Sequence, residues 1–161
     1  MIFDVQAVIM EANDQILNPL YKTENSVFKE RVISNHNPNK AEYLFSIILN
    51  EYESKLVDSK ILKILERLKS KNIKSIALTS EYTGKYGIIE SREDLRIQKL
   101  KKLGISFKDS FADISLPISL KLRKEKLAPY PLFKDGIIFA CRRDKGKVLS
   151  INIVSINTVR G

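Results

Sequence analysis

Three short apolar runs, separated by longer stretches of helical periodicity, organise this 161-residue chain. The first, MIFDVQAVIM (1–10), is apolar apart from Asp4 and Gln6, the pattern of a strand buried on both faces. The second lies in IKSIALTS (73–80), and the third in DGIIFAC, with a strand over 136–141. After the first run, Asn13-Asp14 reads as a turn or helix cap, and 15–38 is mixed, ending in the turn-rich SNHNPNK. Ala41, Leu44, Phe45, Ile48, Leu49, Tyr52 and Leu56 then recur at helical spacing. Asp58-Ser59 can cap a second helix whose stripe is Ile61, Leu62, Leu65 and Leu68. EYTGKYG follows the second run as a loop, and Ser91 with Asp94 resembles a capping box. Ile97, Leu100 and Leu103 face inward from that helix, and Gly104 stops it. Residues 105–135, with Pro117, Pro129 and Pro131, read as loop, and a polar turn and a helix start follow the third run.

Strands alternating with helices predict an α/β fold with a Rossmann-like parallel sheet. The chain reads as a single domain over 1–161, with 14–70 as a helical, cap-like insertion between the first two strands. A hydrophobic fraction of 43% supplies one core. One cysteine, Cys141, excludes an internal disulfide and reads as a small buried hydrophobe; it fits a reducing, cytoplasmic setting. The one histidine, His36, lies in a polar loop and reads as a surface residue, so histidine-based metal sites and triads are poorly supplied. No apolar window is long enough to cross a membrane. No secretory signal precedes the first strand, although a longer exported form stays compatible with so abrupt a start.

The net charge is +9. It allows a nucleic-acid or anionic partner using 121–126 and 142–147, but no recognition motif accompanies it. A lysine-rich, arginine-poor composition on polar helix faces accounts for the charge without nucleic acid. Oligomeric state is open.

In parallel α/β sheets, chemistry gathers at the carboxyl ends of the strands. The residues there are Asp4 and Gln6, Thr79 and Ser80, and Arg142, Arg143, Asp144 and Lys145. An acid, a hydroxyl and a lysine at three strand ends form a chemically meaningful set. A carboxylate can attack phosphorus, while a hydroxyl and a lysine hold the phosphoryl oxygens and offset their charge. Each also has a plainer use: Asp4 and Thr79-Ser80 as turn or cap residues, Lys145 as solvated charge. Tyr82 and Tyr86, flanking Gly84, suit a substrate pocket or a surface loop equally.

FDVQAV, IALTSEYTGKYG and DGIIFACRRDKGKVL, in that order, resemble the first three motifs of the haloacid-dehalogenase-like (HAD-like) phosphatases. Over most of its length the chain resembles in particular a bacterial family of uncharacterised HAD-like proteins known largely from intracellular bacteria. The resemblance implies that Asp4 is the nucleophile and a Mg²⁺ ligand. It implies that Thr79 hydrogen-bonds the phosphoryl group and that Lys145 bridges Asp4 and the phosphate. Gln6 stands where the family has a second Asp, which acts as general acid–base and ligates the metal through its backbone carbonyl. Gln6 keeps the carbonyl, but its amide cannot shuttle a proton. The family's acidic fourth motif has no counterpart in GKVLSINIVSINTVRG (146–161), where Asn157-Thr158 is a faint echo of a strand ending. The C-terminal part of the sheet is therefore expected to be incomplete, as in a shortened gene product or a reading frame taken too short.

The expected function is that of a catalytically impaired HAD-like protein, with a phosphorylated small molecule as ligand and Mg²⁺ bound weakly or not at all. The alternatives are a Mg²⁺-dependent phosphatase or phosphotransferase using Asp4, and a basic binding module.

Overall fold

The computed structural model describes residues 1–6, 8–12, 22–110, 116–117 and 131–150. The Asn13-Asp14 turn, Pro129, the basic stretch 121–126 and Asn157-Thr158 lie outside them. The chain is a mixed α/β protein.

The first apolar run is not one strand. It forms β1 (Ile2–Asp4), a turn, and β2 (Met10–Ala12). Val5 continues the pairing through its N–H to the Leu78 carbonyl at 3.0 Å. Its own carbonyl then accepts from Ile9 N–H (3.3 Å) and Met10 N–H (3.0 Å), and these bonds fold the run back on itself. Val5, Ile9 and Met10 all remain buried, so the apolar composition reports burial correctly while concealing the turn.

Two helices follow, α1 (Lys22–Asn35) and α2 (Pro38–Glu51). Asn37 caps α2 by accepting from Lys40 N–H at 2.9 Å, and Pro38 takes the first turn, where a missing N–H costs nothing. Phe28 and Phe45 meet edge to face at 6.4 Å to join the pair. The helical reading of 41–56 overruns. Tyr52 leaves helical geometry at ψ 136, and Leu56 lies in β3 (Ser54–Leu56), antiparallel to β2 with Leu56 opposite Met10.

α3 (Lys60–Ser70) starts where Asp58 Oδ1 accepts from Lys60 N–H at 2.8 Å. Its Ile61 and Leu68 return the chain to the main core. β4 (Ile76–Thr79) is buried throughout. α4 (Arg92–Lys102) opens on Ser91, which accepts from Asp94 N–H at 3.1 Å and donates to Asp94 Oδ2 at 2.6 Å. A 3₁₀ turn (Lys108–Ser110) follows.

The region read as loop over 105–135 contains β5 (Leu116–Pro117) and β6 (Leu132–Lys134). β6 turns into β7 (Ile137–Phe139) through Asp135-Gly136, both at positive φ (49° and 77°), which is the backbone of a tight hairpin turn. A fifth helix, α5, begins at 145 and is described to 150.

The main sheet has the order β1-β4-β7-β6-β5. β1, β4 and β7 run parallel, while β6 and β5 are antiparallel, so the sheet is mixed rather than wholly parallel. Both faces of the parallel part are covered. Phe3, Ala77, Ile137 and Phe139 meet Ile61, Leu68, Ile97 and Leu100 of α3 and α4. Ile76, Leu78, Ile138 and Ala140 meet Val148 of α5. Among the described residues no helix is long and apolar enough to cross a membrane.

Candidate functional site

The parallel strands end side by side. Asp4 is in register with Leu78, and Thr79 with Phe139, so the chain leaves β1, β4 and β7 along one edge. Asp4 shares its sheet face with Leu78, the face that α5 covers. Lys145, the first residue of α5, therefore reaches it: Lys145 Nζ donates to Asp4 Oδ2 at 2.5 Å. Asp144 fixes the start of α5 by accepting from Lys147 N–H at 2.9 Å. A lysine at a helix N-terminus opposes the helix dipole, and the Asp4 carboxylate offsets that. The other oxygen of Asp4, Oδ1, is buried and has no hydrogen-bond partner among the described residues.

The remaining sequence-derived candidates fall around this pair. Thr79 is fully buried at the end of β4 and, by alternation, belongs to the opposite face. Its Oγ1 accepts from Glu81 N–H at 3.2 Å, which leaves the hydroxyl proton free to donate elsewhere. Gln6 sits in the turn two residues past Asp4, bridged to Met10, with an exposed side chain. Asp4 and Lys145 are thus brought into contact, whereas Thr79 and Gln6 flank them on separate segments.

The segments after β4 and β7 are zipped together. Ala140 N–H donates to the Thr79 carbonyl (2.8 Å), Cys141 N–H to Glu81 (3.0 Å), and Arg142 N–H to Ser80 (2.8 Å). Cys141 and Arg142 hold positive φ values of 50° and 57°, a conformation unfavourable for side chains of this size and concentrated at functional sites. Cys141 is buried, its Sγ 3.7 Å from Thr83 Oγ1.

A second polar cluster braces this edge, and nothing in the local sequence announces it. Arg96 and Lys99 lie on α4 among residues that read as a solvated face, yet both are buried. Arg96 grips Glu81 with two guanidinium nitrogens and touches Met10 Sδ at 3.2 Å. Burial alone would discourage its charge, but Glu81 more than offsets that and holds the guanidinium above its ordinary range. Lys99 Nζ donates to the carbonyls of Asn50 (3.1 Å) and Tyr52 (2.5 Å) at the end of α2. Burial, reinforced by Arg96 and Lys102, pushes its pKa down to about 8.

α2 is also seated from above. Glu42 Oε1 accepts from Gly87 N–H at 2.9 Å, and Ser46 Oγ accepts from Ile88 N–H at 3.0 Å. The Tyr86–Ile89 turn that offers these groups carries Arg92 beside it, 5.0 Å from the Tyr82 ring and 5.2 Å from Tyr86.

Magnesium is the ion that the motif resemblance implies, and Asp4 Oδ1 is an oxygen that a cation would complete. Mg²⁺ requires near-octahedral oxygen ligation, commonly from one or two carboxylates together with phosphate and water. Among the described residues no group of three or more His, Cys, Asp or Glu stands ready to hold a metal. Asp4 fits one ligand position.

Fold and site define an α/β protein with an acid–lysine pair at the carboxyl edge of its parallel strands. The chain belongs to a family described as a protein of unknown function (DUF2608), which matches residues 1–158. No curated protein and no solved structure matches it significantly.

Proposed function

We propose that this chain is a HAD-like phosphoryl-binding protein of Rossmann-like fold whose hydrolytic step is impaired. One observation carries the reading: Asp4 and Lys145, 141 positions apart, meet at 2.5 Å on the carboxyl edge. In this reading Asp4 attacks phosphorus and Lys145 neutralises phosphoryl oxygens. Thr79 retains a hydroxyl proton to donate. Attack by Asp4 forms an O–P bond and breaks the P–O bond to the leaving group, which departs with the electron pair and needs a proton unless it is a stable anion. Gln6 cannot give that proton, nor take one from the water that would release Asp4. Loss of such help costs about 10²–10⁴-fold.

The test is phosphate binding and phosphomonoester hydrolysis, with and without Mg²⁺, in the parent and in Gln6→Asp, Asp4→Asn and Lys145→Ala. The parent is expected to bind inorganic phosphate, to lose that binding in Lys145→Ala, and to show no turnover. Turnover in the parent that disappears in Asp4→Asn would identify a working phosphatase, the reading favoured by the unpartnered Asp4 Oδ1. Activity restored by Gln6→Asp assigns the defect to the missing acid. Continued silence assigns it to the metal donors. Failure to bind phosphate at all removes the site. Steeply salt-dependent binding of nucleic acid would support instead the basic-module reading, for which Arg142, Arg143, Lys145 and Lys147 are the observation.

A further inference from the structure

We infer that Arg142 is a specificity-determining residue, and that the ligand it selects carries a second anionic group, a phosphate or a carboxylate, beyond the phosphoryl group held at Asp4 and Lys145. This rests on the phosphoryl-binding reading above and extends it.

Arg142 is exposed, and its guanidinium lies 5.6 Å from the centre of the Tyr82 ring. That ring is also approached by Arg92 at 5.0 Å, so Tyr82 contacts two cations. A cation–π contact of this kind attracts the guanidinium to the ring without using its N–H donors, which stay available to an oxyanion. The backbone beneath is equally constrained. Two consecutive left-handed residues, Cys141 and Arg142, are held by N–H donations to Glu81 and Ser80. The strain is retained where the chain has just left β7, and it sets the direction in which Arg142 projects.

The nearby acids are engaged elsewhere. Glu81 binds Arg96, Glu93 accepts from Gly84 N–H at 2.7 Å, and Asp144 accepts from Lys147 N–H. No carboxylate pairs with Arg142 among the described residues. Arg92, by contrast, spends a nitrogen on the Thr83 carbonyl at 2.8 Å. Among the described residues Arg142 is therefore an exposed cation without an anion.

Its place in the sheet sets the spacing. Asp4 ends β1 and Arg142 follows β7, with β4 between them. Arg142 leaves the same strand as Lys145, three residues before it, so one small ligand with two anionic groups can reach both.

The experiment is calorimetric titration of the full chain with two matched pairs. Fructose 1,6-bisphosphate against fructose 6-phosphate tests a second phosphate, and 6-phosphogluconate against glucose 6-phosphate tests a carboxylate. At least one doubly anionic ligand is expected to bind about 10-fold or more tightly than its partner, as bidentate charge-assisted bonds require. Arg142→Ala should bring that ratio within about twofold while leaving the monophosphate affinity unchanged, whereas Arg142→Lys should keep part of it. Arg143→Ala removes the same charge from the neighbouring position and should preserve the ratio. A ratio that survives Arg142→Ala, or that falls equally in Arg143→Ala, overturns the assignment, as does equal binding within both pairs by the parent. If none of the four sugar phosphates binds, the phosphoryl site itself fails, and this assignment fails with it.

Discussion

Glu81→Ala should be the most damaging single change on the described surface of the site. Arg96 is only 5% exposed, and the Glu81 side chain 19%. Removing the carboxylate leaves a guanidinium enclosed by Met10, Tyr52 and the sheet edge with no anion. Breaking one side of a buried pair costs about 3–5 kcal/mol. Because Glu81 retains some solvent contact, the lower end applies, about 3 kcal/mol. For a domain of this size, each kcal/mol moves the melting temperature by about 2–4 °C. The expected fall is about 6–12 °C by circular dichroism, with a matching drop in the urea midpoint. Glu81→Gln keeps an acceptor but no charge and should fall between parent and Glu81→Ala. Replacing both partners, Glu81→Leu with Arg96→Met, removes the stranded charge and should recover most of the loss. If Glu81→Ala loses less than about 1 kcal/mol, as exposed pairs do, or if the double variant is worse than the single one, the reasoning about burial is wrong. Glu81 also donates its N–H to Thr79 and accepts from Cys141. The same pair therefore fixes the loop that holds the edge of the site.

Two further outcomes follow from the seating of α2. A Cβ on Gly87 would stand 2.1 Å from Ser46 Oγ at a φ of 53°, so Gly87→Ala should cost about 1–3 kcal/mol; an unchanged melting temperature would mean that α2 is not docked there. Lys99 gives a pH dependence whose sign is defined. Its pKa is about 8 when folded against 10.5 when free, so the unfolded chain binds more protons between those values and stability should rise with pH across them. Tyr52, raised from 10.0 chiefly by burial, should turn the curve down above about pH 10. Melting curves from pH 7 to 10.5 check this: Lys99→Met should flatten the rise, and a parent curve that falls from pH 8 to 10 would contradict it.

The strand ends that carry Asp4, Thr79 and Lys145 were legible because each follows a run too apolar to lie anywhere but inside. The Ser91 cap and the Gly104 stop were legible because caps are local chemistry. The β2–β3 ribbon was not: three-residue strands have no readable period, and Met10 finds Leu56 only through tertiary structure. β6 is hidden among prolines, and its one local signal is the hairpin pair Asp135-Gly136. Arg96 and Lys99 were illegible for another reason. Their charges match an exposed helix face, and the groups that make burial tolerable arrive from Glu81 and from the end of α2. Gln6 was legible as a polar residue two places past Asp4, but its exposed place in a turn was not.

The pairing of Ala12 with Ser54 has a consequence for how such a chain can change over evolutionary time. The segment that contains α1 and α2 leaves and rejoins the body at two residues already held together in a ladder. Closing a longer or shorter excursion between them costs little, since each doubling of length adds only about 0.6 kcal/mol. The part of that excursion that does not dock on Lys99 and the Tyr86–Ile89 turn is therefore a replaceable module. Lineages can exchange it, lengthen it or lose it while the sheet beneath keeps its register, so variation in length across the family should concentrate there.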